Sequence, residues 1–295
     1  MGGVLTEKGR RESDMEDEAG LSFTKSDFKR VRDMLYQRVG ISLNDSKTHM
    51  AYARLAKRVR SRGLRSFSDY LDLLQHGGEV EEWQNFINAL TTNLTSFFRE
   101  SHHFDMLRDH AGRHRRSGET FRVWSSASST GEEPYSIAIT LLEVWSEPGG
   151  GDFELLASDI DTNVLQHAAR GVYGLERVEK VPLPLLRRYF DRGTGSNEGK
   201  VRLKTRVRNV PSFFQFNLVA PVWPDIGVFD MIFCRNVLIY FDRATQAEIL
   251  AKMETCLKPD GMLLLGHSEN IMHLSDAFAA CGRTAYRLAC HGGGE

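Results

Sequence analysis

The stretch "SSASSTGEEPYSIA" (Ser125–Ala138) decides how the chain is read. An apolar run, Phe121-Arg122-Val123-Trp124, precedes it, and "IAITLLEVW" continues from it. Strand, tight turn and helix in that order form the nucleotide-binding turn of an α/β protein, which usually holds several glycines and leaves a helix N-terminus free for phosphate. This turn has one glycine, Gly131, followed by two acids, Glu132 and Glu133. Acids in a first helical turn are stabilising on their own account. A ligand that wants carboxylates there must bring positive charge instead of phosphate.

Beyond about 117 the pattern alternates. Strands are expected at 121–125, 153–158, 228–234 and 261–267, and helices at 133–145, 162–170, 182–189 and 243–257. Such alternation gives a parallel sheet covered by helices. One segment, "RGTGSNEGKVRLKTRVRNV", breaks it. Turn residues lead into period-two alternation at Val201, Leu203, Thr205 and Val207 with Arg or Lys between, which predicts a small antiparallel insertion at about 191–210 with one apolar and one basic face. Upstream, Phe28, Val31, Leu35 and Val39 recur at helical spacing after Thr24 and Asp27, a pair that resembles a capping box. The expected organisation is a disordered, charge-mixed tail over 1–20 and a helical domain over 21–90. A linker follows over 91–116, then an α/β domain over 117–295.

Open α/β sheets bind ligands outside the carboxyl ends of their strands. Two further turns would meet the first one there. "LLASDIDTNVL" ends an apolar strand in Asp159, and an acid at that place suits both ribose hydroxyls of a nucleoside. "FDMIFCRNVLIYF" ends a buried strand at Cys234, followed by Arg235 and Asn236. A nucleoside lacking phosphates but carrying an ammonium and a sulfonium fits these residues, and S-adenosylmethionine is such a molecule.

The motifs "ALTTNLTSFFRESHHF", "VWSSASSTGEEPYSIAITL", "ASDIDTNVL", "YFDRGTG", "FDMIFCRNVLIYFD" and "LKPDGMLLLGHSEN", in this order, resemble the CheR family, the chemotaxis receptor glutamate O-methyltransferases. The resemblance covers about 21 to 288. It implies a class I S-adenosylmethionine-dependent methyltransferase, Rossmann-like, with a small antiparallel β insertion, preceded by a helical N-terminal domain. By matching motif positions it also implies cofactor contacts from Asn93, Thr95, Arg99, Glu133, Asp159, Asn217, Leu218, Arg235 and Asn236. Tyr240 matches a tyrosine near the transferred methyl. Arg99 and Arg235 are expected to orient the reactants, and Tyr240 to hydrogen-bond the acceptor or cofactor. Leu94 stands where many relatives have Glu. Phe97 and Phe98 are expected in the core. The implied reaction gives glutamate methyl esters and S-adenosylhomocysteine.

The segment "SKTHMAYARLAKRVRSRGLR" holds seven Lys and Arg residues and no acid. Arg54, Arg58 and Arg62 are four apart and form one stripe, with Lys57 beside it. An unbalanced stripe repels itself, so these four residues are expected to bind an acidic partner: nucleic acid is one candidate, and the other, taken here as the substrate, is the Glu/Gln-rich cytoplasmic helices of a receptor. The insertion is a candidate site for a receptor's C-terminal peptide.

Composition excludes several classes. The 295 residues are 41% hydrophobic with net charge −1, enough for a substantial core and without a global nucleic-acid signature. No apolar run reaches transmembrane length, and no signal peptide is evident. The four cysteines show no paired spacing. His102-His103 would fall on different helix faces and no H-E-x-x-H occurs, so no metal is expected. The expected protein is a cytoplasmic monomer without membrane insertion or nucleic-acid partner. The alternatives are a nucleic-acid or small-molecule methyltransferase on the same fold and a cofactor-binding scaffold without turnover.

Overall fold

The computed structural model describes residues 15–16, 21–77, 79–146 and 151–289. Most of the tail expected over 1–20 lies outside these residues, as does Cys290. The chain divides into two compact units: residues to Arg38 with Ser42–Leu90, and Thr91 onward with Val39–Ile41.

The first unit opens with β1 (Met15–Glu16) paired antiparallel to β2 (Ser22–Phe23). Four helices follow: α1 (Lys25–Val39), α2 (Thr48–Ser61), α3 (Phe67–Gly77) and α4 (Val80–Leu90). Thr24 and Asp27 cap α1 reciprocally, with Thr24 N–H on Asp27 Oδ2 at 2.9 Å and Asp27 N–H on Thr24 Oγ1 at 3.1 Å. The apolar stripe of α1, Phe28, Val31 and Leu35, is buried, as are Leu55 and Val59 of α2. Phe23 and Phe67 add rings 4.6 Å apart, so aromatic packing supplies much of this small core.

The second unit starts with α5 (His102–His114) and alternates from there: β3 (Thr120–Ser125), α6 (Glu132–Val144), β4 (Asp152–Asp159) and α7 (Thr162–Arg170). A short excursion follows through β5 (Val172–Gly174), α8 (Leu183–Tyr189), β6 (Phe190–Arg192), β7 (Lys200–Leu203) and α9 (Thr205–Arg208). The chain then returns through β8 (Pro211–Gln215), β9 (Phe229–Cys234), α10 (Arg243–Thr255), β10 (Leu257–Leu265), β11 (Phe278–Gly282) and β12 (Ala285–Leu288). Seven strands make one sheet in the order β11-β12-β10-β9-β3-β4-β8. The five from β10 to β8 are parallel, and β12 is antiparallel to both β10 and β11. Successive residues of the central strands feed opposite faces. Met231, Phe233, Met262 and Leu264 join the cluster under α5 and α6, and Ile232, Cys234, Leu263 and Leu265 join the one under α10. Burial on both faces explains why these strands read as continuous apolar runs.

The insertion differs from its expected form. Its sheet has the order β5-β7-β6 and recruits β5 and β6 from outside the alternating run. The alternation ends at Leu203, and Thr205–Arg208 is helical, with Val207 buried in the cluster under α6. A four-residue alternation also fits one helical turn, so period alone could not fix that boundary. The uniform basic face does not form. Lys204 Nζ donates to Arg187 O at 3.1 Å, Arg206 stacks on Tyr189 at 4.7 Å, and Arg208 Nε donates to Leu203 O at 3.1 Å.

Candidate active site

Parallel register sets the site. Ser125 pairs with Ala157 of β4 and Phe233 of β9, so the carboxyl ends of β3, β4 and β9 lie side by side. The turn after β3 is stitched to both neighbours. Ser126 N–H donates to Phe233 O at 2.9 Å, and Ser128 N–H to Ser158 O at 2.8 Å. Ser129 N–H goes to Asp159 Oδ2 at 2.8 Å, and Gly131 N–H to Ser128 O at 3.0 Å. Gly131 has φ +98°, and a Cβ there would meet Ala168 Cβ at 2.8 Å, so the close approach of α7 requires glycine. With four of its N–H groups already bonded inside the fold, the turn is not a phosphate cradle.

The two acids after Gly131 separate. Glu132 is buried against Arg177, whose Nε lies 2.9 Å from Oε1, and Thr130 Oγ1 donates to its other oxygen at 2.6 Å. Glu133 turns to the strand ends instead. Ser125 Oγ donates to its Oε1 at 2.8 Å, and Arg235 Nη1 to its Oε2 at 3.1 Å. Burial pushes the Glu133 carboxyl up, against the pull of Arg235 and the Ser125 hydroxyl.

Arg235 reaches three segments. Besides Glu133 it stands 3.3 Å from Glu100 Oε2, donates to the Arg99 carbonyl, and lies 5.8 Å over the Phe104 ring. Glu100 Oε1 accepts the backbone N–H and faces the ring Nδ1 of His267, both at 3.2 Å. Burial would raise the Glu100 carboxyl, but Arg235 and the His267 hydrogen bonds outweigh it and hold it below the ordinary value. Arg99 itself is partly exposed, and its Nη1 donates to Leu94 O at 3.1 Å.

At the end of β4, Asp159 is buried with both oxygens on backbone N–H groups, those of Ser129 and, at 2.9 Å, Asp161. Burial raises its carboxyl to about 6 despite these bonds. Asn93 Nδ2 donates to Asp161 Oδ2 at 2.9 Å, and Asn93 O accepts from Ser129 Oγ at 3.2 Å. Thr95 is half-buried in the same loop. Asn217 follows β8 and accepts Val219 N–H at 3.2 Å, while Leu218 belongs to the cluster containing Trp124 and Phe216. Asn236 holds φ +58° next to Arg235, and Tyr240 closes the short 3-10 turn Leu238–Tyr240.

These expected cofactor and catalytic residues therefore all lie in the second unit, around or beside the strand ends. Phe97 is buried and Phe98 packs at 5.2 Å from Phe104. Glu100 and Glu269 carry no signal of their own in the sequence, and Asp161 only that of a second acid two residues after Asp159. Glu269 gathers four backbone N–H groups, from Gly266 at 2.6 Å, Asn236 and Leu238 at 2.8 Å and Ile239 at 3.4 Å, and so fixes the turn after β9. All three stand inside quoted motifs, but each also has partners remote in sequence: Arg235 for Glu100, Thr91 and Asn93 for Asp161, and Asn236 and Leu238 for Glu269.

The basic residues of α2 belong to the first unit, and there they do not form the unbalanced stripe expected. Arg58 is bidentate to the buried Glu82 of α4, at 3.0 and 2.6 Å, and Tyr70 shares that carboxylate at 2.8 Å. Arg62 pairs with Glu79 at 2.7 Å, and Arg54 donates to Ala89 O at 3.3 Å. Arg58 and Arg62 are balanced by acids in and just before α4, which a count along α2 does not see. Lys57 remains exposed.

Comparison with known proteins gives the same division. A family model described as "CheR methyltransferase, SAM binding domain" matches residues 93–287, and one described as "CheR methyltransferase, all-alpha domain" matches 26–91. The chemotaxis protein methyltransferase of Escherichia coli (strain K12) is 51% identical over 269 residues, covering 91% of this chain and 93% of that protein. Chemotaxis protein methyltransferase 2 of Pseudomonas aeruginosa is 48% identical over 271 residues, covering 90% and 94%. The counterpart from Borreliella burgdorferi is 33% identical over 259 residues, covering 85% and 90%.

Proposed function

The chain belongs to the CheR methyltransferase family, and on that premise we propose that it transfers a methyl group from S-adenosylmethionine to glutamate side chains in the cytoplasmic helices of chemotaxis receptors. Its fold is that of a class I methyltransferase with an all-helical domain in front. The observation that carries the cofactor reading is the turn after β3. Its N–H groups are used internally, while Glu133 and Asp159 present carboxylates at the same strand ends. That set of acceptors fits a nucleoside with a cationic amino-acid end. Asp159 would hold the ribose hydroxyls and Glu133 the ammonium, with Asn93, Thr95, Asn217, Leu218 and Asn236 completing the contacts.

When bound, the cofactor supplies an electrophilic methyl on a sulfonium. The chain has little proton chemistry to do. A glutamate side chain ionises near pH 4.3, so at neutrality the acceptor is already a nucleophile and needs no base. What the residues contribute is alignment, which can supply about 7–11 kcal/mol of a barrier. Arg235 is immobilised by Glu133, Glu100 and the Arg99 carbonyl, and thereby fixes the loop that presents Arg99. Strong stabilisation of the acceptor's charge would be counterproductive, since that charge disappears in the reaction. Arg99 and Tyr240 orient the acceptor and the methyl. In the insertion, a receptor tail would add to an edge strand, β5 or β6, because β7 is central.

The direct test is mass spectrometry of a receptor cytoplasmic fragment incubated with the protein and S-adenosylmethionine. Methylation should map to glutamates and vanish when those glutamates are changed to glutamine. Methylation on lysine or an amide nitrogen would refute the assignment.

A further inference from the structure

Asp161 does three things at once. Its Oδ1 caps α7 by accepting N–H groups of Asn163 at 2.9 Å and Val164 at 3.3 Å. Its own N–H donates to Asp159 Oδ1 at 2.9 Å. Its Oδ2 accepts from Thr91 Oγ1 at 2.6 Å and from Asn93 Nδ2 at 2.9 Å, and Asn93 Nδ2 also stands 3.3 Å from Thr91 Oγ1.

These contacts determine which way the Asn93 amide faces. An ionised carboxylate only accepts, and the Thr91 hydroxyl directs its proton at that carboxylate, so both demand the NH2 side of the amide. Turning the amide over would set its oxygen against Asp161 Oδ2, lone pair against anion. The amide is therefore locked with Oδ1 directed away, and that oxygen has no hydrogen-bond partner among the described residues. The Asn93 backbone is tied to Ser129, whose N–H holds the proposed ribose acceptor Asp159.

We propose that Asp161 is a positioning residue that locks the Asn93 amide so that its oxygen accepts a hydrogen bond from the cofactor. The inference rests on the cofactor site described above. The cofactor offers three kinds of donor, the ribose hydroxyls, the adenine amino group and the ammonium, and each meets the same acceptor.

The test is a double-mutant cycle read by calorimetry with S-adenosylhomocysteine, with adenosine as a second probe. Asp161→Asn keeps an oxygen for the α7 cap but puts an NH2 where Oδ2 stood. Asn93 must then turn over and show a donor to the cofactor. Affinity for S-adenosylhomocysteine should fall about tenfold or more, because a hydrogen bond is lost and two donors oppose each other. Asn93→Asp alone should also weaken binding, since it faces Asp161 with a second carboxylate. Combined, Asn93→Asp and Asp161→Asn restore a donor–acceptor pair inside and an acceptor outside, and most of the affinity should return. A loss shared by adenosine assigns the bond to the nucleoside half, a ribose hydroxyl or the adenine amino group. A loss confined to S-adenosylhomocysteine assigns it to the ammonium. Thermal melts of the three variants separate binding from folding. No recovery in a folded double variant, or an unchanged affinity in Asp161→Asn when Asn93→Ala weakens binding, overturns the proposal. Unchanged affinity in Asn93→Ala removes Asn93 from the cofactor site and overturns the proposal, whereas no binding of S-adenosylhomocysteine by the folded parent protein overturns the cofactor reading itself.

Discussion

Arg235 Nη1 stands 3.1 Å from Glu133 Oε2, and both residues are buried at the carboxyl end of the sheet. The same guanidinium lies 3.3 Å from Glu100 Oε2. Arg99 Nε also lies 3.9 Å from Glu100 Oε1, but the buried Asp159 adds a third carboxylate at the same strand ends, so carboxylates outnumber guanidinium groups at the site. That surplus suits a ligand carrying ammonium and sulfonium, and it answers why acids stand where a phosphate-binding turn has bare N–H groups.

Removing the cation should be costly. Arg235→Met leaves Glu133 and Glu100 without their shared partner, and breaking a buried pair from one side costs about 3–5 kcal/mol. Chemical denaturation should show that loss, and adding Glu133→Gln to Arg235→Met should recover part of it. Equal stability of Arg235→Met and the parent would mean the pair is solvated in solution.

Cofactor affinity should depend on pH through Asp159. Burial raises its carboxyl to about 6. Ribose hydroxyls donate to the ionised form, so the bound state has the lower value and binding below about 6 must expel a proton. Affinity for S-adenosylhomocysteine should rise with pH up to about 6 and level off above it. Asp159→Asn should abolish that limb and weaken binding at neutral pH by about 1.5–3 kcal/mol. Calorimetry giving the parent a flat profile from about pH 5 to 7 would contradict this role for Asp159.

The helical domain carries two kinds of cation that separate experimentally. Arg58 holds Glu82, whose carboxyl burial would raise but which Arg58 and Tyr70 bring below its ordinary 4.5. Its contribution to stability is complete above that value and is lost as pH falls through the lower folded one. Arg58→Ala should therefore destabilise the domain by about 3–5 kcal/mol at neutral pH. Charge reversal at the exposed Lys57 and Arg65 should leave the melting temperature alone. It should slow methyl transfer and reduce its salt dependence if an acidic receptor helix docks there. Unchanged transfer after that double reversal would remove this face from receptor binding.

Much of this was legible in the sequence. The four central strands are apolar on both faces, and their turns carry Glu133, Asp159 and Arg235 at recognisable places. The edge strands β8 and β11, and β12 beside β11, were not. β8 begins at Pro211, and Ala279–Gly282 are exposed and small, so neither offers a buried apolar run. Long-range polar contacts were equally hidden. Glu82 answers Arg58 from 24 residues away and Glu100 answers Arg235 from 135 residues away, distances no local period encodes.

If alignment carries the catalysis, the chemical step needs no group titrating near neutrality. With receptor and cofactor saturating, kcat should be flat from about pH 6.5 to 8.5. A single ionisation within that window, with chemistry limiting, would point to a base among the chain's own residues.

The most direct measurement follows the fate of the transferred methyl. A receptor cytoplasmic fragment is incubated with the protein and S-adenosylmethionine labelled in its methyl group, then brought to strongly alkaline pH. A carboxyl methyl ester hydrolyses there and releases the label as volatile methanol, whereas N-methyl groups stay on the polypeptide. Quantitative release as methanol, and no incorporation by a variant carrying Asp159→Ala, is the predicted result. Label that survives alkali on the receptor, or no transfer by a protein that binds the cofactor tightly, would contradict it.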